Sequence, residues 1–470
     1  MDALKAAGLP VDGINLSMVN KMMEEQMPID KTSLNQMYQL VQDNKDINVT
    51  TLVELKRLGI EINQVNAAQF ENYANDKQAI TIAMDSLMDE LPNALSAEDL
   101  SMYKLVTQAR DILNIVTEGL PEEAFISSEA SDMSQYEAIM RDNQSAPVVK
   151  KHFNIAELFE SLNSVSGESQ DIHTTQKINN APATDTILLQ ENETKSNTIG
   201  FLLSDKQIEE LNEQVRMLLP NLQENNISLY SEDSSVVGIL NDIKSMLENT
   251  PANADTLRHL FSGEAFKLML KEALEQQWMI KPGDLEKNPK KLDGLYDKIE
   301  KQITNMEIIL KTSGVVNPKA EALADNIRGN IEFMNQINEA YTYVQVPLKM
   351  NEKNASGQLY VYTNKKSMSN PDKELSAFLH LDLEHLGGTD VSIKMLHRKV
   401  TTNFYLDSDE SYALVKQFLP VLEKRLQDKG YNCELNVNSG LKQMNFVAGF
   451  LKKDLPPTGQ VHRYSFDIRA

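Results

Sequence analysis

One cysteine, Cys433, in 470 residues excludes an intramolecular disulfide, so packing alone must hold the fold. Cys433 falls in an alternating apolar run and reads as a small buried hydrophobe. Aromatic residues are scarce, 6% with a single Trp against 41% apolar residues overall, which predicts cores of Leu, Ile and Met on helices. Positive charge is also short. A net charge of −22 argues against a nucleic-acid partner or an anionic membrane, because both require clustered Lys and Arg. No window approaches the ~18 apolar residues of a membrane span, and the first residues lack the basic region and apolar run of a secretory signal. Synthesis as a cytoplasmic chain without membrane insertion is expected. Catalytic signatures are missing as well: there is no glycine-rich phosphate loop, no Gly-x-Ser-x-Gly elbow, no cysteine pair and no His-Glu-x-x-His run. Neither an enzyme nor a bound cofactor or metal is expected.

What is present divides the chain into four parts. Residues 1–118 read as an irregular helical domain. Three junctions, Leu9-Pro10-Val11-Asp12, Met27-Pro28-Ile29-Asp30 and Ile60-Glu61-Ile62-Asn63, each place an N-cap residue before spaced apolar positions such as Leu34, Met37 and Leu40. Their unequal separations argue against a regular solenoid. Residues 119–200 lose apolar periodicity and read as a flexible linker. Residues 201–340 form a second helical domain, opened by a capping box at Ser204 and Gln207. A helix is expected over 254–280, and two more, following Pro289 and Pro318, make a helical hairpin.

Residues 341–470 switch to a period of two and read as an α+β unit. Val344, Val346 and Leu348, then Leu359, Val361 and Thr363, mark two strands joined by a turn-like 352–357. Leu379, Leu381 and Leu383 mark another, and Val391, Ile393 and Met395 the next. Val400, Thr402, Phe404 and Leu406 follow a His397-Arg398 turn. A helix capped by Asp407, Ser408 or Asp409 then buries Tyr412, Val415, Phe418, Leu419, Leu422 and Leu426 until Gly430 ends it. Cys433, Leu435 and Val437 alternate again, and Tyr464, Phe466 and Ile468 would suit an edge strand.

This order of strand, Leu-Gly, strand, turn, strand, helix, Gly and strand resembles the carboxy-terminal domain of bacterial flagellar hook-length control proteins. Glu384, Leu386 and Gly387 match the family's Pro-Glu-x-Leu-Gly element, Val391 and Ile393 its next strand, and Leu419, Leu422, Leu426 and Gly430 its helix and exit. Leu383 stands where the family usually has proline. The resemblance implies an α+β module that contacts the cytoplasmic domain of the export gate's switch component and turns export from hook to filament subunits. It implies a chain exported through the flagellar type III apparatus, with hook or hook-cap subunits as further partners. Glu384, Leu386 and Gly387 would then bind the gate, while Leu419, Leu422 and Leu426 support the fold. About 340 residues precede the module; extended they would span roughly 1,100 Å at ~3.3 Å each, and as helix roughly 500 Å at ~1.5 Å each. Either reach suits a gauge of a long extracellular tube.

Two other classes stay open on the residues alone. One is a cytosolic scaffold or adaptor that is never exported. The other is a metal enzyme using His380, Asp382 and Glu384, which alternate on one strand face. No other histidine falls at a ligand-like spacing, and a half-exposed strand with its polar face in water accounts for all three.

Overall fold

The computed structural model describes residues 2–98, 100–120, 198–218, 229–249, 253–287, 289–292, 294–314, 317–340, 342–350, 353–361, 374–383 and 386–440. Most of the expected linker and the expected tail strand at Tyr464, Phe466 and Ile468 lie outside the described residues. The described fold is α+β, with sixteen α-helices and one six-stranded mixed sheet.

Seven helices come first: α1 (Asp2–Ala7), α2 (Gly13–Glu24), α3 (Lys31–Asp43), α4 (Val49–Leu58), α5 (Gln64–Ala74), α6 (Ile80–Leu95) and α7 (Met102–Thr117). The three repeated junctions all function as helix starts. Asp12 accepts from the Asn15 N–H, Asp30 from those of Thr32 and Ser33, and Asn63 from that of Asn66, so each satisfies a donor that the first helical turn leaves without a partner.

The second helical stretch holds α8 (Ile199–Leu202), α9 (Asp205–Leu218), α10 (Val236–Asn249), α11 (Ala254–Ser262), α12 (Glu264–Trp278), α13 (Pro282–Lys287), α14 (Leu295–Ser313) and α15 (Pro318–Ala340). Gln207 Oε1 accepts from the Ser204 N–H at 2.9 Å, as a capping box requires. The single helix expected over 254–280 is instead two, broken at an extended Gly263. Gln214 presses against that point, and a Cβ there would stand 2.7 Å from its Oε1. The two helical stretches share one apolar core: α15 packs on α5 and α6, while α7 packs on α10 and α14.

The sheet runs in sequence order: β1 (Thr342–Met350), β2 (Lys353–Val361), β3 (Leu375–Leu383), β4 (Gly387–Leu396), β5 (Lys399–Leu406) and β6 (Asn432–Ser439). All neighbours are antiparallel except β5 and β6, which are parallel and joined by the crossover helix α16 (Asp409–Asp428). The first connection is tighter than expected. Met350 pairs with Lys353, so most of the turn-like stretch is strand, and Gly357 lets β2 approach Leu381 and Leu348. β1 is buried along nearly its whole length by helices, and Ile280 covers its outer edge through bonds to Pro347 and Lys349. The sheet is thus rooted in the helical core at β1 and β2, while β4 to β6 project from it.

Along α16 the inner positions Tyr412, Val415, Leu419, Leu422 and Leu426 are only half-buried, because a single helix over two strands cannot enclose them. Phe418, expected inside, is 55% exposed. Leu422→Ala should therefore cost about 1–2 kcal/mol in urea unfolding, below the ~2–5 kcal/mol of a fully buried leucine. A loss within that higher range would show the helix face to be more deeply covered.

Candidate partner-binding site

Between β3 and β4 the chain turns through the segment that carries the candidate contact residues. Glu384 lies outside the described residues. Leu386 is half-buried, and its carbonyl accepts from Ser411 Oγ at 2.9 Å. Ser411 is buried in the first turn of α16, where its N–H donates to the N-cap Ser408 Oγ at 3.1 Å and its own Oγ accepts from that hydroxyl at 2.8 Å. Serine fits here because one small side chain can satisfy both the helix start and a carbonyl across the bend.

Gly387 has φ of +67°, the left-handed region that suits glycine. Space forbids a side chain as well: a Cβ would stand 2.6 Å from Asp407 Oδ1 and 2.8 Å from its carboxyl carbon. Asp407 occupies that space because its Oδ2 accepts from the Gly388 N–H at 3.1 Å. The bend is thereby fastened to the start of α16. Leu386 and Gly387 meet the helix at its N-terminus, whereas Leu419, Leu422 and Leu426 lie farther along its inner side.

One position before each of Val415, Leu419 and Leu422 come Leu414, Phe418 and Val421, which are 46%, 55% and 52% exposed. They form an apolar flank at helical spacing. Sequence reasoning named Asp407 only as a possible helix cap, did not name Ser411, and did not separate this flank from the inner stripe. The surplus of apolar positions on α16, too many for one face, was the available signal. On the sheet beneath, burial and the charge of Glu423 raise the Cys433 thiol above its ordinary value.

His380 serves the sheet. It sits opposite Asp390 across the β3–β4 pair, with Nδ1 2.6 Å from Asp390 Oδ1 and Nε2 3.5 Å from Asp382 Oδ1. Hydrogen bonds to Asp382 and Asp390 outweigh desolvation and raise the imidazole to about 9. The same bond holds Asp382 below its ordinary value. Because the folded histidine binds its proton more tightly than the unfolded one, its contribution is fully present below pH ~6.5 and is lost as pH rises through about 9. Stability should fall by ~3 kcal/mol between pH 6 and 9.5, and His380→Ala should abolish that slope. An unchanged slope in the variant would assign it to other groups. Among the described residues no group of three or more His, Cys, Asp or Glu could hold a metal ion.

The bend is fastened to the start of α16, and the exposed apolar flank lies farther along the same helix. Residues 363–446 match the family model described as flagellar hook-length control protein FliK. No curated protein and no solved structure matches the chain. The matched span includes β3 to β6 and α16 and leaves out β1, β2 and every helix before them. Among the described residues no helix is long and apolar enough to cross a membrane.

Proposed function

We propose that this protein is a flagellar hook-length control protein, exported through the flagellar type III apparatus, whose carboxy-terminal module switches export from hook to filament subunits. One observation carries the reading: the family match falls on β3 to β6 with α16, and so takes in the strands that project from the helical core, β4 to β6. The partner is the cytoplasmic domain of the gate's switch component, with hook or hook-cap subunits met during passage. Glu384, Leu386 and Gly387 divide the work. Leu386 and Gly387 shape the bend through Ser411 and Asp407, and Glu384 meets the gate. The flank of Leu414, Phe418 and Val421 adds exposed apolar area along α16. The lone free cysteine is compatible with a chain that must unfold to pass a narrow channel.

Immunoblots of culture supernatants test the export step. The chain should be found outside cells with a working flagellar export apparatus and be absent outside cells without one. Strict retention in both strains would favour a resident scaffold or adaptor. For the contact itself, Glu384→Ala should weaken binding to the gate's cytoplasmic domain by ~2 kcal/mol if the carboxylate is paired and desolvated there. Unchanged affinity, measured by calorimetry on the folded variant, would remove Glu384 from the interface.

A further inference from the structure

We infer that the carboxy-terminal sheet senses whether the amino-terminal helices are in place, through a buried hydrogen-bonded cluster that makes α5 and the start of α6 part of the support of β1 and β2. Gln345 of β1 has three side-chain partners. Its Nε2 donates to Tyr73 Oη at 2.8 Å and to Asn330 Oδ1 at 2.9 Å, while its Oε1 accepts from the Ile80 N–H at 2.9 Å. Tyr73 in turn donates to Asn330, and Gln78 Nε2 donates to Gln358 Oε1 of β2 at 2.9 Å. Gln345 is 1% exposed and Gln358 5%, so neither can exchange a lost protein partner for water without opening the structure.

Aromatic contacts run beside this cluster toward the matched module. Tyr73 packs on Tyr343 at 5.7 Å, Tyr343 on Tyr360 at 5.0 Å, and Tyr360 on Phe378 at 6.0 Å, passing from α5 through β1 and β2 to β3. Drawing α5 and α6 away removes Tyr73 and Ile80 from Gln345, Gln78 from Gln358, and the first ring of the series. Gln345 then keeps only Asn330 and its Oε1 loses its donor, Gln358 keeps the Tyr343 and Tyr360 hydroxyls, and β1 and β2 lose part of the apolar surface packed on them. β3 pairs with β2 along Ser356 to Val361, so the loss reaches the first strand of the matched module. An export apparatus that threads the amino-terminal helices first would, on the export reading above, loosen this support at the start of passage. The linkage itself does not depend on export.

Hydrogen exchange on the full chain tests it. Leu52, fully buried in α4, belongs to a helix that packs on α2, α3 and α5, and Leu52→Ala loosens the amino-terminal helices from a distance. Amides of α4, α5, β1 and β2 are all expected to lose protection by about 30-fold or more. Wild-type protection in β1 and β2 while α4 and α5 lose theirs would overturn the inference. Tyr73→Phe keeps the ring and removes only the hydroxyl, so it decides the matter should Leu52→Ala fail to fold. It is expected to lower protection of the β1 amides by about tenfold, and protection within twofold of wild type would overturn the inference. Failure of either kind leaves the supernatant test untouched, so the linkage and the export reading fall separately.

Discussion

Replacing Lys349 by alanine is expected to cost about 3–5 kcal/mol of stability. Lys349, near the end of β1, is 4% exposed, and its ammonium reaches Glu272 and Glu275 on α12, the latter at 3.0 Å. Burial alone would push this lysine down, but the two carboxylates more than offset it and hold it above its ordinary value. Removing the cation leaves two buried carboxylates facing each other without the ammonium between them, and breaking one partner of a buried cluster costs far more than the intact cluster is worth. The loss falls where Ile280 bridges β1, so the rooted edge of the sheet should loosen first. Urea unfolding measures the change. Adding Glu272→Gln and Glu275→Gln to Lys349→Ala should recover much of it, whereas a loss under ~0.5 kcal/mol in the single variant would show that water already reaches the cluster.

Gly387→Ala should cost ~2–4 kcal/mol and distort the Leu386 bend. Two separable causes contribute. An L-residue in the left-handed region pays roughly 1–2 kcal/mol, and the new Cβ overlaps the Asp407 carboxylate, which must swing away and release the Gly388 N–H. Crowding of this kind adds ~1–3 kcal/mol. In an Asp407→Ala background the overlap is gone, so the glycine substitution should cost only the backbone part. A double-mutant cycle reads the difference as a coupling energy between two positions twenty residues apart. Simple additivity would mean that Asp407 does not define the bend.

Local features of the chain could be read from its sequence because they depend on neighbours. Asp12, Asp30 and Asn63 cap helices, Ser204 and Gln207 meet as a capping box, and the alternation of Val344, Val346 and Leu348 or of Leu379, Leu381 and Leu383 marks strands. Partners far along the chain could not be read in this way. Tyr73, Gln78, Asn330, Gln345 and Gln358 carry polar groups and carry no helical or strand period that separates them from surface residues, yet they meet across more than 250 positions in a buried cluster. The depth of α16 was equally hidden. Spacing shows which residues face the sheet, but Leu422 is half-buried because of how much sheet lies beneath it. At the candidate site Leu386 and Gly387 were legible from the resemblance, while the reason for the glycine, Asp407 pressed beneath it, emerged only from the fold.

Imaging flagella on cells lacking the gene tests the central claim most directly. Loss of a chain that both gauges the hook and switches export should leave overlong hooks without filaments, restored to normal length and filamentation when the wild-type chain is supplied again. Hooks of normal length that carry filaments in the deletion strain would contradict the account.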